Sequence, residues 1–333
     1  MSGKVKLPEV CFIGCGNIAA RHAGMLRKLY PEIALAFADA EPSRAREYAA
    51  RFGKGRSFDT VDAALSSADV NIAFLTTPHA YHAGLAVLAA KHGKDMIIEK
   101  PIARSMKELA TIERAVAKSG VRCAVAENYL YKPIIPKIRS YVERGIIGEP
   151  LVIELNKTNR DTVAGWRTDA KMMGGGALLE GGVHWVNALV SLAASRPLRV
   201  MALKPTVAYE TSVPFEDTIM VTVKFENGMA GKLLHSWRLF NPLKGMSLSK
   251  IYGTDGVITF ESNGLFCSAH GRKIRLAAVN PMDFLGFRAM HRAFIEDYLA
   301  EKPWRPDLAR IHMEMSVVDA AYRSLKSERF EAV

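Results

Sequence analysis

One stretch narrows the possible folds more than any other. VCFIGCGNIAARH is an apolar run, Val10–Ile13, that breaks into Gly14-Cys15-Gly16 and resumes as a helical pattern from Ile18 to Tyr30. A strand that turns through glycines straight into a helix opens a βαβ unit, and the alternation continues. Ile33–Ala38 is apolar and ends in Asp39, after which Ser43 is placed to cap a helix running to Arg51. Val70–Leu75 leads into TTPHAYH and an Ala- and Leu-rich helix to Lys91. Met96–Ile98 leads into Glu99-Lys100-Pro101 and a helix over Ser105–Ser119, and Arg122–Ala126 ends in Glu127-Asn128-Tyr129. Strands that alternate with helices of this length predict a parallel sheet.

In an open parallel sheet, ligands bind beyond the carboxyl ends of the strands. The residues following the strands are Gly14-Cys15-Gly16, Asp39, Thr76-Thr77-Pro78, Glu99-Lys100-Pro101 and Glu127-Asn128-Tyr129, so polar and special-backbone residues gather at one edge. The first group is a dinucleotide fingerprint. Gly14 permits the tight turn, Gly16 lets the backbone approach a pyrophosphate, Asn17 and Ile18 open the helix, and Ala19 allows close helix packing. Asp39, at the end of the second strand, suits the adenine ribose hydroxyls and repels a 2′-phosphate. NAD is therefore expected, with NADP admitted by the nearby Arg44 and Arg46. Pro101 holds Lys100 in extended backbone, which makes it a fixed cation and not a surface lysine.

At 333 residues the chain is long enough for two domains. Its 49% hydrophobic and 24% charged residues are ordinary for a globular protein. The formal charge of +11 raises nucleic acid as a partner. The basic residues are mixed with acids, as in EPSRAREYAARF, and the densest cluster, His270 to Arg275, lies between expected strands. A solvated basic surface is the expectation, with no nucleic-acid partner. MSGKVKLPEVCFIG has no signal-peptide pattern, and no uncharged apolar window is long enough to span a membrane. The four cysteines, Cys11, Cys15, Cys123 and Cys267, form no CxxC pair, which predicts free buried thiols and a cytoplasmic location.

The second half carries a different pattern. Thr218–Phe225 alternates and turns at Asn227-Gly228 into Met229–Trp237, while Lys250–Tyr252 and Val257–Phe260 flank Gly-Thr-Asp-Gly. Both read as hairpins, and Leu151–Asn156 and Leu198–Lys204 add strands. Three glycines then introduce the helix of Gly174–Asn187, where Glu180 and His184 stand four residues apart and so on one helical face. The pair lacks a third ligand nearby, so no metal is expected. His235 and Trp237 read as core.

The GxGxxA turn, Thr77-Pro78 with His82 four residues after the proline, Glu99-Lys100-Pro101 and GGGALLEGGVH follow in order at fitting distances. Together they resemble the glucose–fructose oxidoreductase, inositol dehydrogenase and MocA family of NAD(P)-dependent oxidoreductases, over nearly the whole chain. The resemblance implies an N-terminal Rossmann domain with a doubly wound parallel sheet, residues 1–127. It also implies a C-terminal α/β domain with a large, open, mostly antiparallel sheet, residues 128–333, whose last helices pack back on the first domain. A homodimer or homotetramer through that sheet follows by analogy. Lys100, His184 and Glu180 become the catalytic candidates. Relatives usually carry Asp where Glu180 stands, and many carry Asp in place of Asn187. Thr76, Thr77, Pro78, His82, Glu99, Lys100, Asn128 and Arg44 join the fingerprint residues as cofactor contacts. Tyr129, Trp166 and Arg167 join Lys100, Glu180 and His184 on the substrate side. The expected reaction is hydride transfer between nicotinamide and a secondary alcohol or ketone, on a sugar, sugar derivative or cyclitol. Glycoside cleavage by transient oxidation, a non-catalytic dinucleotide and sugar sensor, and reduction of a C=C bond, imine or tetrapyrrole are the alternatives.

Overall fold

Phe12 is the centre of the first sheet, stacked on Phe37 at 5.6 Å and on Phe74 at 5.1 Å between ring centroids. All three rings are fully buried in this computed structural model, which describes residues 7–52, 55–207, 213–242, 245–278 and 283–333. The strands that carry them are β1 (Glu9–Ile13), β2 (Ala34–Ala38) and β4 (Val70–Leu75). With β3 (Arg56–Phe58), β5 (Asp95–Ile98) and β6 (Cys123–Val125) they form a sheet in the order β3-β2-β1-β4-β5-β6. Every neighbouring pair is parallel. Such strands are covered on both faces, which is why they read as unbroken apolar runs. Burying one Phe of this ladder contributes about 1.5–3 kcal/mol.

The edge strand β3 escapes a reading based on apolar runs. Arg56 and Ser57 are exposed, and Arg56 is held by ion pairs to Glu9 and Asp69. Helices α1 (Asn17–Leu29), α2 (Pro42–Arg51), α3 (Val61–Ser66), α4 (His82–Lys91) and α5 (Met106–Ser119) link the strands. Ser105 caps α5, accepting from the Glu108 N–H. Ser43 does not cap α2: that helix starts two residues earlier, with Glu41 at the N-cap and Pro42 in the first turn, where a missing N–H does no harm.

The second unit contains α6 (Ile134–Glu143), β7 (Pro150–Thr158), α7 (Ala170–Met173), a π-helical turn at Leu178–Gly182 and α8 (Val183–Ala193). Then come β8 (Pro197–Leu203), β9 (Thr218–Phe225), β10 (Ala230–Ser236), β11 (Leu248–Gly253), β12 (Val257–Glu261), β13 (Phe266–His270) and β14 (Ile274–Ala278). The chain closes with α9 (Phe287–Leu299), α10 (Leu308–Ser327) and β15 (Glu331–Ala332). The second sheet has the order β14-β13-β12-β11-β7-β10-β9-β8-β15 and is antiparallel except between β7 and β10. Along β9, exposed Met220, Thr222 and Lys224 alternate with buried Ile219, Val221 and Val223. One sheet face is therefore packed and the other open. By internal contacts the first unit comprises Met1–Glu127 with Phe287–Ile311, and the second Asn128–Gly286 with His312–Val333.

Candidate functional site

In the first unit the nucleotide edge is built from β1, α1 and the turns after β2, β4 and β5. Gly14 has φ +97°, and a Cβ there would come within 2.8 Å of Thr77 Cγ2. Gly16 is the opposite case: a Cβ would meet nothing within 4 Å, so the space beside it is open. Helix α1 begins with no side-chain cap and no acid in its first turn. Its leading N–H groups and positive dipole end therefore remain for an anion. Asp39 Oδ2 accepts from Cys15 N at 2.6 Å and Oδ1 from Glu41 N at 2.9 Å. The carboxylate thus closes the fingerprint turn, and spare lone pairs on each oxygen can still receive ribose hydroxyls. The buried Thr77 Oγ1 has no hydrogen-bond partner among the described residues. An open space at Gly16, an uncapped helix and an orphaned hydroxyl together fit a dinucleotide.

Three sequence candidates take more specific places. Thr76 Oγ1 donates to Gly14 O at 2.7 Å and so ties the two turns together. His82 is fully buried, with Nδ1 2.9 Å from Pro101 O and Nε2 2.9 Å from Thr77 O. Both ring nitrogens lie on main-chain carbonyls, and the ring braces the turns that carry Thr77 and Lys100. Burial lowers the His82 pKa despite those two acceptors, so only one of its nitrogens carries a proton at neutral pH. Arg44 is exposed and paired with Glu41 at 2.8 Å. The Lys100–Pro101 peptide is cis. Among the cysteines, burial pushes the Cys15 thiol up to about 12, and all four are free and buried.

In the second unit His184 opens α8 and lies flat on Tyr129, ring centroids 4.2 Å apart and planes 9° apart. Lys132 Nζ stands 3.6 Å from the centre of the same Tyr129 ring. The phenol ring thus carries both an imidazole and an ammonium against it. Lys132 is buried and donates to Ser262 O at 3.3 Å and Asn263 O at 3.2 Å. Asn128 donates its amide to Leu285 O at 2.7 Å, an anchor for the segment that carries Tyr129. Lys132 also precedes a proline, but no apolar strand run leads into it to place it at the ligand edge.

Glu180 and His184 sit on either side of a change in helix type. Glu180 lies in the π-helical turn and His184 in the α-helix beyond it. A single π turn inside a helix is uncommon and often marks a functional site. Glu180 pairs with Arg167 at 3.3 Å, and Arg167 also lies 3.8 Å from Asp161. The guanidinium stacks over Trp237 at 5.5 Å, and its buried Nε has no hydrogen-bond partner among the described residues. Trp166, next to Arg167, is 37% exposed. Beside this group a cavity of about 220 Å³ is lined by Arg160, Asp161, Asp217, Trp237 and Arg238. Its polar wall and single indole suit a hydroxylated small molecule. Trp237, read from sequence as core, is buried yet also forms this wall.

Glu216 and Tyr322 shape the glycine run. Glu216 Oε1 accepts from Leu178 N at 3.1 Å and from the Tyr322 hydroxyl at 2.9 Å, while Gly176 N donates to the Tyr322 oxygen at 3.1 Å. A Cβ on Gly176 would sit 2.1 Å from Glu216 O, so only glycine fits. Burial raises the Glu216 carboxyl pKa and, with Glu216 beside it, lifts the Tyr322 phenol well above its usual range. Among the described residues no cluster of His, Cys, Asp and Glu is arranged for a metal, and no helix is long and apolar enough to cross a membrane.

Residues 9–127 match the model of an oxidoreductase family with an NAD-binding Rossmann fold, and residues 135–259 match the GFO/IDH/MocA C-terminal domain. Levoglucosan dehydrogenase of Pseudarthrobacter phenanthrenivorans is 28% identical over 285 residues, 76% of this chain and 73% of that protein. The 1,5-anhydro-D-fructose reductase of Ensifer adhaerens is 22% identical over 247 residues, 73% of each chain. A solved structure of levoglucosan dehydrogenase in complex with NADH aligns with a TM-score of 0.87 at 22% identity. That alignment covers 98% of this chain and 99% of the other, a likeness of fold.

Proposed function

The chain belongs to the glucose–fructose oxidoreductase, inositol dehydrogenase and MocA family of oxidoreductases, with an NAD-binding Rossmann domain, and from that premise we propose that it is a dehydrogenase acting on a secondary alcohol of a sugar, sugar derivative or cyclitol. The observation that carries the reading is the immobilised imidazole of His184, flat on Tyr129 at 4.2 Å yet partly open to solvent. Imidazole is the side chain whose ordinary pKa lies nearest neutrality, which suits it to accept and return a proton. The names of the sequence relatives support a carbohydrate substrate.

In the oxidative direction the carbinol C–H bond breaks and its electron pair leaves as hydride. The O–H proton passes to His184, and the C–O bond becomes C=O. NAD, when bound, supplies the nicotinamide C4 that receives the hydride. Lys100 stabilises the negative charge that develops on oxygen as the proton departs. Glu180 and Arg167 bind substrate hydroxyls as a neutral pair, and the indoles of Trp166 and Trp237 offer flat apolar surfaces to a ring. Glu99 holds the backbone of Lys100 by accepting its N–H at 3.1 Å.

We also propose self-association through the open face of the second sheet. Leu203 and Met220 face each other in register there, 50% and 42% exposed, with Leu276 at 77% on the β14 edge. Exposed apolar side chains that recur across an open sheet face suit an interface. Light scattering coupled to size exclusion measures the oligomer directly. For the activity, a panel of sugars, anhydrosugars, cyclitols and uronic acids is scanned with NAD for absorbance at 340 nm. Tight NADH binding with no turnover of any member would displace the dehydrogenase reading in favour of a sensor.

A further inference from the structure

Helix α1 and helix α9, both in the first unit, bury a line of polar groups within an aromatic shell. His22 Nδ1 lies 2.8 Å from His291 Nε2, and His22 Nε2 lies 2.5 Å from Glu99 Oε1. Glu99 Oε2 accepts the Lys100 N–H at 3.1 Å. Exposure is 0% for His22, 1% for His291 and 6% for Glu99. The His22 ring is 4.6 Å from Phe74 and 5.4 Å from Phe287. Leucine or phenylalanine at both histidine positions would fill such a shell without any polar group to satisfy. Two imidazoles are retained there against that desolvation penalty, and each is hydrogen-bonded.

A carboxylate only accepts, so His22 Nε2 carries a proton toward Glu99. The remaining bond, between His22 Nδ1 and His291 Nε2, holds one shared proton. Burial, with His22 alongside, pushes the His291 pKa well below that of an ordinary imidazole, which keeps His291 neutral. The line therefore has a fixed sense: α9 orients His22, His22 orients Glu99, and Glu99 fixes the main chain of Lys100 at the end of β5. We propose that His22 and His291 are positioning residues, a buried two-histidine brace that sets the rotamer of Glu99 and through it the placement of Lys100 for hydride transfer. The inference rests on the dehydrogenase reading for its kinetic consequence, but the brace itself is observable without substrate.

The test uses the full chain with His22→Phe, His291→Leu and His291→Gln. In the wild type, long-range ¹H–¹⁵N correlation should show His22 protonated at Nε2 and a slowly exchanging, downfield proton between the two rings. That shared proton should vanish in His291→Leu. With the substrate that the panel identifies, His22→Phe and His291→Leu should lower kcat by about tenfold, since small misplacements of a reacting group are costly. KM and NADH affinity should stay within about twofold of wild type. His291→Gln, whose amide can still bond His22 Nδ1, should restore most of kcat. The brace is refuted by wild-type spectra with no shared proton. It is equally refuted by folded His22→Phe and His291→Leu enzymes at wild-type kcat, or by a Gln variant no better than Leu. If no substrate turns over while the shared proton is present, the dehydrogenase reading fails and the brace stands as structure, so the two failures are distinct.

Discussion

Tyr129 and His184 lie ring on ring, centroids 4.2 Å apart, with the Lys132 ammonium 3.6 Å from the centre of the same phenol. The stack gives the imidazole one orientation while its residue remains partly accessible. Stacked aromatic pairs contribute about 0.5–1.5 kcal/mol beyond their buried area. Tyr129→Leu should therefore lower kcat/KM by about fivefold, whereas Tyr129→Phe, which keeps the ring, should not. Steady-state kinetics on both variants decides; equal losses would mean that the hydroxyl, and not the stack, is what matters.

Lys100→Met and His184→Ala remove the groups assigned to charge and proton. Each should reduce kcat by about 10²-fold or more, while fluorescence titration with NADH gives an unchanged affinity. Turnover near the wild-type rate in both variants would withdraw the assignment.

Gly14 and Gly16 should fail differently. Gly14→Ala forces a side chain onto φ +97° and within 2.8 Å of Thr77, so a stability loss of about 1–3 kcal/mol is expected in thermal melts. Gly16→Ala adds a methyl to open space in the protein alone. Its melting temperature should hold while NADH affinity falls about tenfold, or about 1.4 kcal/mol. An intact affinity for Gly16→Ala would place the pyrophosphate elsewhere.

Arg167 and Glu180 are paired with side chains 25% and 17% exposed. A double-mutant cycle with Arg167→Met and Glu180→Gln should give a coupling of about 1 kcal/mol in urea unfolding. Arg167→Lys should not replace the wild type, because an ammonium cannot reach Glu180 and Asp161 while covering Trp237. Strict additivity of the two single changes would show the ion pair to be incidental.

Glu216 sets a pH dependence whose sign follows from burial. Its carboxyl pKa is raised in the folded protein, so folding favours the protonated form. The favourable contribution is complete below the unfolded value of about 4.3 and is lost as pH rises through the folded pKa. Glu216→Gln keeps an oxygen for Leu178 N and Tyr322 but cannot ionise. Its melting temperature should match wild type in acid and exceed it increasingly toward neutrality. A difference that stays flat with pH would contradict the assignment.

Much of this architecture is written locally. The apolar runs of β1, β4 and β5, the glycines of the fingerprint and the Asn227-Gly228 turn are read within a few residues, because backbone sterics and side-chain period act over that distance. The same holds for the chemical edge: once the strands are parallel, Asp39, Thr77 and Lys100 must emerge on one side. Strand β3 carries no apolar run to read: it is three residues paired with β2 at the sheet edge, two of them exposed.

Pairings that cross the chain follow another rule. His22 and His291 are separated by 269 positions, and nothing about a histidine in either helix announces the other. Arg167 pairs with Glu180 across thirteen positions, from a turn that precedes the glycine run. Lys132 acquires its role by burial against a ring and two carbonyls. Periodicity and turn chemistry specify elements because their energies are local. Partners for buried polar groups are chosen by packing, where the penalty for an unmet donor or charge exceeds any local preference.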